Sequence, residues 1–308
     1  MFLYTRFLFT IFFLILIILT AAISCSRNIK PQNTGISDSD IFKIWALADI
    51  QPKDAADRTK FEDDVIDVNR NVDNIDIAVV AGDIASKPDK EVYEWYNNVK
   101  NSSYIKNWYE IAGNHDLKYD DGELFSRMVH EKTNYSARFG NILIIFMSDS
   151  QQGKPTEISN KTFEWWKELV KKNQDKIIIV VTHAPLEGSS IPFSSFHDRQ
   201  ITKSKRFVKV LKNYNVDLWL SGHLHLPQAF INTVVKKPGF ADTIFVHISS
   251  IRTELLGLKN SESRFITFFC GSNKIRVESR DHDSGKYHKD LEKEFNVSNK
   301  ILCDAKIH

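Results

Sequence analysis

Residues 107–116 read Asn-Trp-Tyr-Glu-Ile-Ala-Gly-Asn-His-Asp. An apolar run with aromatic and β-branched residues ends abruptly in a glycine followed by three polar groups, which is how a buried strand looks where it emerges from a sheet. The same figure recurs along the chain. Apolar runs at 41–48, 76–81, 176–181 and 216–220 end in Asp49-Ile50-Gln51, Gly82-Asp83, Thr182-His183 and Gly222-His223-Leu224-His225. Between these runs, apolar residues at helical spacing predict helices over 54–71, 89–101, 122–131, 160–172 and 203–213. Strand and helix in alternation predict an α/β fold. Two stretches break the alternation, 134–149 around Gly140-Asn141 and 243–279 around Gly271-Ser272-Asn273. Both read as antiparallel hairpins, so the sheets are expected to be mixed.

Ligands in α/β sheets bind beyond the carboxyl ends of the strands, so the five polar clusters are expected on one rim. Taken singly, each has an ordinary structural reading. Gly-Asp is a common turn, Asp49 could cap the helix that follows, and a lone His183 fits a satisfied core histidine. Gly-Asn-His-Asp is more specific, arising by chance in a chain of this length on the order of once in several hundred sequences. Gly-His-x-His brings two imidazoles to one side only around a bend, which Gly222 permits. Five clusters in the same position relative to five strands do not arise from turns alone.

In this order the motifs resemble those of the calcineurin-like metallophosphoesterase family, over roughly residues 41–250. The resemblance implies a four-layer α-β-β-α sandwich of two mixed sheets between helices, with two divalent metal ions at the strand ends. By position it assigns one metal to Asp49, Gln51 and His225, the other to Asn114, His183 and His223, and the bridge between them to Asp83. His115 becomes the acid beside the leaving group and Asp116 the carboxylate that orients it. The implied reaction is hydrolysis of a phosphomonoester or phosphodiester by a hydroxide shared between the metals. A carboxylate holds the two cations at the spacing such chemistry needs, neutral Asn and His ligands keep the site positive, and an imidazolium can protonate a departing alkoxide. No serine nucleophile elbow or phosphate-binding glycine loop is present.

The departure from the pattern is Gln51, where the family usually has histidine. A neutral amide oxygen binds zinc or iron less well than imidazole, so Mn2+ or Mg2+ is the favoured occupant, with Fe or Zn as alternatives. Gln51 also supports a second reading, a degenerate member that keeps the fold as a non-catalytic binding or scaffold module. The expected partner is a small phosphorylated substrate. The loop from Pro185 to Ile201, with Phe193, Phe196, His197, Asp198 and Arg199, is a candidate to touch it.

The 308 residues carry 41 Lys+Arg against 39 Asp+Glu, a formal charge of +2. That balance lacks the basic excess of a nucleic-acid binder, so no specific nucleic acid is implied. Residues 1–24 contain one charge, Arg6, and a long apolar run ending Ala22-Ile23-Ser24-Cys25. They read as a signal peptide whose last four positions resemble the lipobox of bacterial lipoproteins, or as an uncleaved anchor helix. The expectation is an exported, membrane-anchored protein, periplasmic or at the cell surface. Residues 25–40 are then a polar tether, 41–280 the metallophosphoesterase domain, and 281–308 a tail whose alternating charges read as a surface helix. Cys270 and Cys303 read as structural, able to pair in an oxidising compartment.

Overall fold

The computed structural model describes residues 40–149, 156–252 and 260–303. The signal or anchor segment 1–24 and most of the tether lie outside the described residues. Among the described residues no helix is long and apolar enough to cross a membrane.

The predicted strands form as β1 (Ile41–Leu47), β2 (Ile77–Ala81), β3 (Trp108–Ile111), β6 (Ile177–Thr182) and β7 (Leu218–Ser221). The helices are α1 (Ala55–Asn71), α2 (Lys90–Asn101), α3 (Glu123–Met128), α4 (Asn160–Lys172) and α5 (Lys205–Leu211). Side-chain caps set several of the starts. Asp54 accepts from the backbone N–H groups of Ala56 and Asp57, Asp89 from Glu91 and Val92, and Ser159 from Thr162. The cap of α1 is thus Asp54, which leaves Asp49 free for another task.

Two mixed sheets result. In the first, β1, β2 and β3 run parallel, and β1 pairs antiparallel with β10 (Glu262–Phe269). In the second, β5 (Ile142–Met147), β6, β7 and β9 (Ile244–His247) are parallel, with β4 (Asn134–Phe139) and β8 (Val234–Lys236) antiparallel at the edges. Residue parity builds the layers, because successive side chains of a strand point to opposite faces. Ile44, Ala46, Ile77 and Val79 meet Ile144, Phe146, Ile179 and Leu220 between the sheets. Trp45, Leu47 and Val80 turn outward onto Phe61, Val65 and Tyr96 of the helices. On the far side Ile145, Val180 and Trp219 pack on Phe163, Trp166 and Phe207. Each fully buried side chain of this size stabilises the fold by about 1.5–3 kcal/mol relative to exposure. The result is the expected order of helix, sheet, sheet and helix.

Three details differ from the sequence reading. The stretch 243–279 is not one hairpin: β9 joins the second sheet, and the hairpin is β10 with β11 (Lys274–Asp281) in the first. The short edge strand β8 had no legible signal. Among the described residues the tail forms no α-helix, only a short 3-10 turn at Lys289–Leu291. It adds β12 (Lys286–Tyr287) and β13 (Lys293–Asn296) to β11. Its charges suit an exposed edge strand, while Val297 and Ile301 are buried and Phe295 packs against the inter-sheet core. A disulfide between Cys270 and Cys303, Cα atoms 5.6 Å apart, closes this end.

Candidate metal centre

The parallel strands deliver their carboxyl ends to one rim, and short backbone bonds lock the loops that follow. The N–H of Asp49 donates to the carbonyl of Gly82 at 3.0 Å, Gln51 to Asp83 at 3.1 Å, and Gly222 to His183 at 2.8 Å. Ser250 holds the carbonyl of Asp49 through its hydroxyl, also at 2.8 Å. Four of the expected ligands, Asp49, Asp83, His223 and His225, have φ between 51° and 70°. Left-handed backbone at non-glycine residues is costly and persists where the surroundings over-determine it, often at functional sites.

Glycines make the crowding possible. A Cβ on Gly113 would lie 2.7 Å from the backbone nitrogen of Asp83 and 2.8 Å from Cγ of His183, and one on Gly222 would lie 2.5 Å from Oδ2 of Asp49. Only hydrogen fits at either position.

The side chains then converge. Nε2 of His183 lies 3.0 Å from Oδ2 of Asp83, 3.9 Å from Oδ1 of Asp49 and 3.2 Å from Nδ1 of His223. Asp83, His183 and His223 each offer a ligand atom within 4.8 Å of the others. Nε2 of His225 is 3.1 Å from Oδ1 of Asp49 and 2.8 Å from the amide nitrogen of Gln51. Asn114 sits between Gly113 and His115, whose N–H donates to Oδ1 of Asp83 at 2.9 Å. Six of the seven residues assigned to metals thus meet through their side chains, and Asn114 stands in the adjoining loop.

The donor set fits divalent cations. Nδ1–H of His183 donates to the carbonyl of Ala81 at 2.8 Å, and Nε2–H of His223 donates to that of Asp198 at 3.2 Å. These bonds aim Nε2 of His183 and Nδ1 of His223 at each other, an arrangement that two imidazole lone pairs hold only around a cation or a proton. His225 Nε2 cannot both donate to Asp49 and accept from Gln51. Oδ1 of Asn114 is buried and has no hydrogen-bond partner among the described residues. Ligand atoms about 2.1 Å from one ion lie about 3 to 3.5 Å apart, the spacing found here.

The electrostatics agree. Burial would raise Asp49, but His225, His183 and His223 outweigh it and hold the carboxyl below the ordinary range. Asp83 is likewise lowered, against burial, chiefly by His183. Burial opposes charge on His183, yet Asp83, Asp49 and Asp149 push it well above the usual imidazole value. Burial and the charge of His183 push His223 down to about 4. A proton on His183 does here what a metal ion would do by displacing it.

His115 and Asp116 separate. The ring of His115 is oriented by the carbonyl of Ser86, 2.9 Å from Nδ1, and its Nε2 has no partner among the described residues. Asp116 does not orient it. The buried carboxylate of Asp116 accepts from the N–H groups of Ile84, Ala85 and Gly113 and from the hydroxyl of Tyr93, at 3.0–3.1 Å. It ties the loop after β2 to the loop after β3, and adjacency in sequence misleads because neighbouring side chains diverge.

Asp149, absent from the sequence motifs, is 3% exposed, and among the described residues only the backbone N–H of Thr156 approaches its carboxylate. Burial, then the charges of Asp83 and Asp116, push it up to about 7 against the pull of His183. Its backbone N–H donates to the carbonyl of Ala112, one residue before the Gly-Asn-His-Asp loop. An Asp after an apolar run was the available signal, but it lay beside no second motif residue. Of the loop residues, Asp198 and Arg199 line a cavity beside His223, whereas His197 lines a different one with Glu187 and Lys205.

A family model described as calcineurin-like phosphoesterase matches residues 42–227. Among curated proteins none matches the chain in sequence. A purple acid phosphatase from yellow lupin (Lupinus luteus) superposes with TM-score 0.61 at 14% identity, over 84% of this chain and 54% of that one. The chain therefore spans about half the length of the lupin protein. GAP50, the anchor in the inner membrane complex of Plasmodium, superposes with TM-score 0.59 at 16% identity, over 85% of this chain and 90% of that one. At such identities the likeness is one of fold.

Proposed function

Because the chain belongs to the calcineurin-like phosphoesterase family, we propose that it hydrolyses a phosphomonoester or phosphodiester at a dinuclear metal centre. Asp49, Gln51 and His225 would hold one ion, Asn114, His183 and His223 the other, with Asp83 between them. The observation that carries this reading is the meeting of His183 Nε2 and His223 Nδ1 at 3.2 Å beside Asp83, with Asn114 Oδ1 buried and unpartnered among the described residues. What the ions supply when bound is a lowered water pKa and positive charge against the phosphoryl oxygens.

The chain's own residues do the rest. Ala81 and Asp198 fix the tautomers of His183 and His223, so their free nitrogens face inward without rearrangement. Ser86 accepts from Nδ1–H of His115, which leaves Nε2 as the atom that delivers a proton to the leaving oxygen. Asp116 keeps the two loops in register.

The test is hydrolysis of mono- and diester reporters by metal-stripped protein refilled with Mn2+, Mg2+, Zn2+ or Fe2+. Activity restored by metal, strongest with Mn2+ or Mg2+, is expected. Metal binding with no turnover would favour the non-catalytic reading, which Gln51 supports and which the fold shared with the Plasmodium anchor accommodates. Export with a lipid or helical anchor is proposed from residues 1–25. The disulfide between Cys270 and Cys303 supports it, since such bonds persist in oxidising compartments.

A further inference from the structure

We propose that the cavity beside His223 is a subsite for the flat aromatic leaving group of a phosphoester, an inference that rests on the metal-centre reading above. The cavity has a volume of about 370 Å3 and is lined by Phe193, Phe196, Asp198, Arg199, Leu224 and Leu226. It adjoins the metal centre in two ways: Leu224 lies between His223 and His225 in the chain, and the carbonyl of Asp198 accepts a hydrogen bond from the ring of His223. A phosphoryl group held by those histidines has this wall beside it, within reach of an aromatic group carried on the phosphorus.

The wall is built for a flat ring. Phe193 and Phe196 are 46% and 57% exposed, and their rings lie 22° from parallel with centroids 6.2 Å apart. Exposed rings in a concave, largely apolar site mark a binding surface; Phe193 and Phe196 stack on each other and Phe193 also meets Phe230, so a third ring packs on the outer, exposed faces rather than between them. Phe193 has φ of 64°, a left-handed conformation that a bulky residue adopts only when the surroundings enforce it.

The enforcing contacts are visible. The N–H of Ile201 donates to the carbonyl of Pro185 and closes the loop at its base. Inside it the buried hydroxyl of Ser194 bonds the carbonyl of Ile191 at 2.7 Å, and Ser189 bonds Ser194 at 3.2 Å. Lys237 reaches in to the hydroxyl of Ser190 at 2.6 Å. The two rings are thus presented on a braced loop, while the guanidinium of Arg199, with no partner among the described residues, offers a cation at the same wall.

The experiment measures, by calorimetry on the Mn2+-refilled protein, binding of benzylphosphonate and cyclohexylmethylphosphonate, which cannot be hydrolysed. The saturated ring is the more apolar, so burial alone favours it, and only stacking reverses the order. Benzylphosphonate is expected to bind about fivefold more tightly. The preference is expected to vanish in Phe193→Leu/Phe196→Leu, whose exposed positions keep an apolar side chain. Arg199→Gln should weaken both ligands alike. Equal affinities in the wild type, no binding of either ligand, or a preference that survives the double substitution would overturn the subsite. Turnover of benzyl phosphate is scored separately: aromatic preference in binding without turnover leaves the subsite standing and defeats the phosphoesterase reading, and turnover with equal binding does the reverse.

Discussion

The carboxylate and backbone of Asp83 occupy the space that a side chain on residue 113 would need. A Cβ there would fall 2.7 Å from the nitrogen of Asp83 and 2.8 Å from Cγ of His183. Neither neighbour can yield, since both are buried and hydrogen-bonded within the site. Gly113→Ala is therefore expected to spread the centre, cutting metal affinity at least tenfold and destabilising the fold by about 1–3 kcal/mol. Calorimetric metal titration beside thermal unfolding checks both, and wild-type affinity in the variant would show that the close approach carries no function.

Removing a ligand separates binding from folding. Asp83→Ala or His223→Ala takes away an atom of the converging set but no hydrophobic contact between the sheets. Each variant is expected to keep its circular dichroism spectrum while losing metal and activity together. Undiminished metal content in both would refute the ligand assignment.

Gln51 sets metal choice if its amide coordinates. It stands 2.8 Å from Nε2 of His225, where an imidazole would bind soft metals better. Gln51→His should tighten the site and move its preference from Mn2+ toward zinc or iron. Competition between metals, read by mass spectrometry of the loaded protein, would show an unchanged order if Gln51 lies outside the coordination sphere.

His115, held by Ser86, is placed to act on the leaving group. His115→Ala is expected to keep both metals and to lose about 10² or more in turnover on alkyl phosphates, with a smaller loss on activated aryl esters. A rate loss that is equal across leaving groups of rising pKa would reduce His115 to a phosphate-positioning role.

Asp64 makes stability fall with pH. Burial, partly offset by His282 and by the hydroxyl of Ser261, raises its carboxyl to about 7 from 3.8. The folded state then binds the proton more tightly than the unfolded chain, so the stabilisation is complete in acid and is lost as pH rises from about 4 through about 7. Asp64→Asn keeps an acceptor for Ser261 and removes the buried charge. It should be near neutral at pH 4 and stabilise by about 4 kcal/mol at pH 8.5. Denaturant unfolding at the two pH values measures this, and equal effects at both would contradict it.

The strand-then-polar-cluster order, the α/β class with mixed sheets, and the residues drawn to the rim were all legible in the amino-acid order. Those features are local: apolar periodicity decides which segments are buried, and a strand's end decides where a polar group emerges. The resemblance supplied the four layers. Tertiary structure alone decided the rest, because it depends on partners far away in the chain. Asp116 lies next to His115, yet its carboxylate turns to Ile84, Ala85 and Tyr93, and the orienting oxygen comes from Ser86. Asp149 gave no motif signal, since its place near His183 and Asp83 arises only when the strand from the second sheet meets the end of β3. The tail became an edge strand instead of a helix because β11 offered unpaired backbone groups and the core took Phe295 and Ile301. Hydrogen bonds and burial across tens of residues override local charge pattern, and no window of the sequence contains both partners.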